Sequence, residues 1–395
     1  MKKIILSFIL ILALCSCSAP VENKANTEEP VKTNTEHIKS VWITYDELHS
    51  LIDNKSENEF KNTVESVFKE LKEMGFNTVT VHVRAFADAF YRSKYFPSSR
   101  YCFGNEGSDM PFDPLEIMCN TAKSLNLNIE AWINPYRVSN KNNLKALSVN
   151  NPARKLGKSS VYIFDDGIYF NPASKAVTKL IVKGVEEVVK NYPVSAIHFD
   201  DYFYPTDDKK IDKKEYKKYK SKGGKLSLFD FRRKCVSDMV KSVYSAVKRI
   251  NSAVKFGISP AADIDRDYNE LYADVEKWVS EKGYVDYICP QVYFGFRNVY
   301  KPFMFTVKKW MYITDCDMFV GLPLYKASRA DKYAARDDKS IINEFKNNDN
   351  IISRQITYLS KLEKVKGIYV FSFGCLKEER CKKEVENMLK VLKDY

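Results

Sequence analysis

"NTVTVHVR" (residues 77–84) carries two opposed faces in eight residues. Successive strand side chains point to opposite sides, so Val79, Val81 and Val83 share one face and Thr78, Thr80, His82 and Arg84 the other. "NIEAWIN" (128–134) repeats the pattern, with Ile129, Ala131 and Ile133 opposite Asn128, Glu130, Trp132 and Asn134. In "VSAIHFD" (194–200), Ile197 and Phe199 oppose Ala196, His198 and Asp200. The aliphatic faces call for helices packed over them. The polar faces must then meet one another around an axis.

Working outward, further strand segments fall at 40–44, 254–259, 285–293, 317–322 and 366–373. Between the strands lie segments at helical spacing: 58–74, 113–125, 173–191, 227–250, 267–281, 300–312 and 339–364, with 377–393 last. Eight strand–helix units in succession predict an α/β protein, a (β/α)8 TIM barrel over residues 38–395. An open doubly wound sheet fits less well, because no strand is followed by a glycine-rich phosphate turn. Long insertions follow strands 2, 3 and 4, at 85–112, 135–172 and 201–226. In a barrel these are loops of the C-terminal face, where substrates bind. Within the third, "KKIDKKEYKKYKSKGGK" (209–225) reads as a solvated charged flap.

Barrel interiors are ordinarily filled with branched apolar side chains. Here the phase of the strands predicts Arg84, Asn134 and Asp200 at the mouth, with His82, Glu130 and His198 one layer down. Trp42, Trp132, Gln291 and Tyr293 join them. Burying so many polar groups costs free energy unless they pair with one another or with a ligand. For Glu130 and His82 the expected answer is an internal network; for the mouth residues it is a site. In "AIHFDDYFYP" (196–205), Asp200 should face inward while Asp201 turns away or into the loop.

The first residues read as an address. Lys2 and Lys3 precede an apolar run from Ile4 to Leu14 that is too short to span a bilayer as a helix. Leu14-Cys15-Ser16-Cys17 resembles a bacterial lipobox, giving a signal peptide over 1–16 and lipidation at Cys17. Residues 17–37, polar and aperiodic, form a flexible tether. The expected location is the outer face of the bacterial cell membrane. Cleavage before Cys17 lowers the formal charge from +12 to +10. A basic exported protein suits anionic lipid heads or wall polymers, and nucleic acid is not an expected partner. The seven later cysteines include no Cys-x-x-Cys pair and sit in apolar segments, as small core residues do. Four scattered histidines make a zinc site improbable, and no metal or cofactor is expected. A monomer is expected.

"TVHVRAFADAFY" (80–91), "AWINPYR" (131–137), "IHFDDYFYP" (197–205), "FGISP" (256–260) and "YICPQVYFGF" (287–296) together resemble glycosyl-hydrolase-like family 10. These are secreted bacterial barrel proteins, many of them lipoproteins, and the resemblance runs over about residues 38–390. It implies a (β/α)8 barrel with glycosidase-like activity, and its remote kinship to α-amylase-type barrels implies α-glycosidic bonds. After "FGISP" the family continues with phenylalanine, glycine and an aromatic, where this chain has Ala261-Ala262-Asp263-Ile264-Asp265.

Glycoside cleavage ordinarily uses two carboxyl groups across the bond. The kinship implies that Asp200, at the end of strand 4, is nucleophile or base. Arg84 is expected to hold Asp200 ionised. Asp263, flanked by alanines in the loop after strand 5, is the expected acid, ahead of Asp265, Asp88 and Asp201. Sugars present apolar faces and many hydroxyls, so Trp132, Tyr136, Tyr202 and Tyr293 are candidate stacking platforms. Arg84, Asp88, Asn134, His198, Asp201 and Gln291 are candidate polar contacts. The expected function is a surface-tethered glycoside hydrolase acting on O-glycosidic bonds of an oligo- or polysaccharide, α-glucosidic first. Hydrolysis of peptidoglycan or another cell-wall glycan is the alternative substrate reading. A non-catalytic carbohydrate-binding lipoprotein and a polysaccharide-modifying enzyme are the alternatives of other classes.

Overall fold

A computed structural model describes residues 37–395. The expected signal peptide, the expected lipidation site Cys17 and nearly all of the expected tether lie outside the described residues. Eight parallel strands close into a barrel: β1 (Ile38–Ile43), β2 (Thr78–Arg84), β3 (Asn128–Ile133), β4 (Ala196–Phe199), β5 (Lys255–Ile258), β6 (Tyr287–Ile288), β7 (Asp317–Leu322) and β8 (Val365–Val370). Each pairs with its neighbours in sequence, and β1 closes against β8. The (β/α)8 reading is borne out. The sixth strand is much shorter than 285–293, because Pro290 interrupts the ladder; Gln291 then bridges Ala261 and Gly321 singly.

The outer helices follow from capping and period. Glu57–Glu73 starts at Ser56, whose side chain and that of Glu59 form a reciprocal capping box. It buries Phe60, Val64, Val67, Phe68 and Leu71, a single stripe facing the strands. A helix absent from the sequence reading, Tyr45–Ile52, follows β1 directly and is started by a second capping box, Thr44 with Glu47. The predicted helix 267–281 is two short ones, Ile264–Asn269 and Val275–Ser280, with Tyr272 at φ +52° between them. Residues 339–364 likewise divide into Lys339–Ile342, Glu344–Asn347 and Ile351–Leu359. The insertion after β3 holds a small antiparallel sheet of Arg137–Ser139, Gly167–Phe170 and Val161–Phe164. The lysine-rich flap contains the helix Lys213–Ser221, none of whose residues is buried.

The barrel interior is aromatic and hydrogen-bonded. Trp42, Trp132, Tyr287, Phe319 and Tyr369 form one buried cluster there. Gly257 on β5 leaves room for it, since a Cβ at that position would stand 2.1 Å from the Tyr287 ring. Glu130 accepts from Thr80 (2.8 Å), Tyr369 (2.8 Å) and Tyr287 (3.5 Å), so the expected internal network forms around it. Burial pushes the Glu130 carboxyl up to about 7 against the pull of those three hydroxyls.

Candidate active site

Asp200 follows the last residue of β4 and is buried at the C-terminal mouth of the barrel. Its Oδ2 accepts from Trp132 Nε1 at 2.9 Å and from Asn134 Nδ2 at 3.3 Å, both offered by β3 and the residue just beyond it. Its Oδ1 accepts from the backbone N–H of Tyr202 at 3.3 Å. Asn134 is itself fixed, because its Oδ1 takes the backbone N–H groups of Tyr136 and Arg137. Three N–H donors therefore hold one carboxyl in one orientation.

Asp200 opens onto a cavity of about 370 Å³. Trp42 lines it from β1, Thr44, Tyr45 and Asp46 from the start of the helix that follows, His82 from β2, and Trp132 and Arg137 from the β3 side. His198, Asp201 and Tyr202 line it from β4, and Ser259, Gln291, Tyr293 and Phe371 complete the far wall. Of these, Thr44, Tyr45, Asp46, Arg137, Ser259 and Phe371 escaped the sequence reading. Arg137 stands inside the quoted "AWINPYR", so its signal was present; its guanidinium lies 4.7 Å over the Tyr202 ring and 4.7 Å over that of Phe86.

Asp201 does not turn away. It lines the same cavity and accepts a hydrogen bond from Gln291, whose amide also donates to the Ser259 carbonyl at 3.0 Å. Burial, and next the charge of Asp201, push the Asp200 carboxyl up to about 7. Burial also raises Asp201, with the Gln291 hydrogen bond opposing it.

His198 serves structure. Trp42 Nε1, a donor only, gives its hydrogen to His198 Nε2 at 3.2 Å, so the ring proton sits on Nδ1 and goes to the Tyr287 hydroxyl at 2.9 Å. Burial lowers this histidine to about 3, which keeps it neutral.

Four expected site residues stand elsewhere. Arg84 was placed at the mouth by unbroken alternation, but the β2–β3 register shifts by one residue between His82 and Arg84. His82 pairs with Trp132, and Arg84 with the outward Ile133. Its guanidinium lies over the Phe96 ring at 4.4 Å, close to Gly184 of the outer helix Lys175–Asn191. A Cβ on Gly184 would stand 3.1 Å from that guanidinium. Arg84 therefore cannot hold Asp200 ionised. Asp263 caps the helix Ile264–Asn269 and is ion-paired with Lys301. Partial burial raises its carboxyl, but the Lys301 ammonium and the Arg266 N–H outweigh that and hold it below the usual range. It does not line the cavity and is not built to keep a proton. Asp88 is buried in the loop after β2, hydrogen-bonded to Ser99 and the Arg100 backbone. Tyr136 is fully buried off the cavity. His82, expected in a satisfied network, has no hydrogen-bond partner on either ring nitrogen among the described residues.

The glycosyl hydrolase-like 10 family profile matches residues 37–336. Glycosyl hydrolase YngK of Bacillus subtilis (strain 168) is 32% identical over 394 residues, spanning 94% of this chain and 74% of that one. Glycosyl hydrolase DigH of Escherichia coli (strain K12) is 29% identical over 366 residues, covering 82% and 83%. In fold alone, the chain is similar to the PgaB (BpsB) glycoside hydrolase domain from Bordetella bronchiseptica. That likeness has a TM-score of 0.57 at 12% identity, over 89% of this chain and 99% of that domain. With the barrel, the paired carboxyls at its mouth and a match over most of its length, the chain belongs to the glycosyl hydrolase-like 10 family and is an enzyme of the glycoside hydrolase kind.

Proposed function

We propose that the protein cleaves O-glycosidic bonds of an oligo- or polysaccharide in the cavity above β4, with Asp200 and Asp201 at the scissile bond. The observation that carries this is the pair itself: two carboxyls on one cavity wall, one fixed by Trp132 and Asn134, at the strand ends where barrel enzymes do chemistry. Asp200, raised to about 7, keeps its proton nearer neutrality and is suited to protonate the leaving oxygen. Asp201, whose ionised form the Gln291 hydrogen bond favours, is the carboxylate facing the positive charge that develops on the sugar. The reverse reading, Asp200 as nucleophile or base, is favoured by its three N–H donors, which stabilise the ionised form.

For substrate we favour a neutral, α-linked glucan-type chain. The kinship inferred from the motifs supports it, as do the aromatic side chains Trp42, Tyr45, Trp132, Tyr202, Tyr293 and Phe371 around the cavity. The formal charge of +12 favours instead an anionic wall glycan such as peptidoglycan. Encounter with a charged polymer weakens steeply with salt, whereas stacking on a neutral sugar barely responds. Soluble starch and purified peptidoglycan, compared at low and at physiological salt, separate the two. Reducing sugar released from starch at both salts is the expected result. Release from peptidoglycan alone sinks the glucan reading, and binding without release from either favours a non-catalytic role.

Tethering at the outer membrane face through Cys17 belongs to the same proposal and rests on the lipobox pattern. A fatty-acid analogue should label the wild type and not Cys17→Ala. Label retained by that variant removes the assignment.

A further inference from the structure

We propose that His82 is a substrate-contacting, specificity-determining residue, whose imidazole takes a sugar hydroxyl of the substrate bound above Asp200. The inference rests on the glycosidase reading of the cavity and goes beyond it in naming what one wall recognises.

His82 is buried and lines the cavity, yet neither Nδ1 nor Nε2 finds a partner among the described residues. Leaving a buried polar group unpaired forfeits its hydration without return, so an unpaired one beside a binding cavity calls for a partner from outside the chain. The contrast with His198 is direct. That histidine lines the same cavity, but both its nitrogens are taken by Trp42 and Tyr287.

The ring of His82 cannot turn away to find a partner. It lies flat on Trp132, centroids 3.7 Å apart and planes 6° apart, while Tyr45 meets it edge-on at 5.7 Å. Trp132 is the residue whose indole N–H holds Asp200. Whatever hydrogen-bonds to His82 is therefore registered, through one rigid stack, against the reacting carboxyl. Burial, with the charge of Arg137 next, holds the imidazole well below its usual value, so it stays neutral with one donor and one acceptor nitrogen. A hydroxyl, itself donor and acceptor, matches that pair. A charged carboxylate or ammonium, which offers only one of the two roles, does not.

Wild type, His82→Phe and His82→Gln are compared on whichever of starch, peptidoglycan or aryl glycosides the wild type hydrolyses, and on singly deoxygenated analogues of that substrate. Phenylalanine keeps a flat ring on Trp132 and removes only the nitrogens; glutamine keeps a donor and an acceptor. The expected result is a loss of kcat/KM of about tenfold or more in His82→Phe, partly restored in His82→Gln, with unchanged melting temperature. One deoxy analogue should be rejected by the wild type and not by His82→Phe. A merely structural role would not move that ratio. Wild-type activity with His82→Phe equal to it, or equal discrimination by both proteins, overturns the inference and leaves the glycosidase reading standing. If the wild type neither binds nor cleaves any glycan offered, that reading fails first and this one with it.

Discussion

Asp200→Asn should lower kcat/KM by about 10²- to 10⁴-fold, the range expected for loss of a positioned proton-transfer group. The fold should be kept, because asparagine is isosteric and its carbonyl oxygen can still accept from Trp132 Nε1 and Asn134 Nδ2. Melting temperature and kcat/KM, measured together, separate a chemical effect from a structural one. The pH profile then assigns the role. As proton donor, Asp200 is active when protonated, so wild-type kcat/KM should fall as pH rises through about 7. As nucleophile or base it would be active when ionised, and the rate would instead fall as pH drops through the same value. A variant retaining more than about a tenth of wild-type activity would remove Asp200 from the chemistry in either role.

The largest expected loss of stability lies away from the cavity floor, at Arg232. Its Nε and Nη2 grip the two oxygens of Asp212 at 2.7 and 3.0 Å, and both side chains are fully buried. The same guanidinium donates to the carbonyls of Asp207 and Asp208 and to the Tyr272 hydroxyl. It thereby ties down the loop that leaves Asp200 and Asp201. Removing one partner of a buried pair strands the other charge, so Arg232→Met should cost about 3–5 kcal/mol. The double change Arg232→Met/Asp212→Leu, which removes both charges, should recover much of that loss. Denaturation midpoints of the three proteins test this. A single variant within about 1 kcal/mol of wild type would mean that the pair does not hold the loop as described.

The strand phase that predicts the barrel is a property of each segment alone, which is why Ile197, Phe199, His198 and Asp200 all fall on their expected sides. A register shift is not such a property. "VHVR" alternates without a break, and nothing in it announces that β2 gains a residue on β3 between His82 and Arg84. That shift moved Arg84, the expected partner of Asp200, to the outside of the barrel. Asp263 failed for a different reason: its cation, Lys301, lies 38 residues away in sequence, and only the fold brings them together. Cavity residues just beyond the first and last strands, Tyr45 and Phe371, were missed because closure of β1 on β8 is what makes them neighbours of Asp200. The capping box at Thr44 and Glu47 was readable and would have placed the helix after β1.

The most direct test of the account is a crystal structure of Asp200→Asn soaked with a short oligosaccharide of the substrate that the wild type hydrolyses. The account predicts a sugar ring in the cavity among Trp42, Trp132, Tyr202 and Tyr293, a glycosidic oxygen within hydrogen-bond distance of residue 200, and a hydroxyl on His82. A sugar chain bound productively elsewhere on the barrel, with this cavity empty, would contradict it.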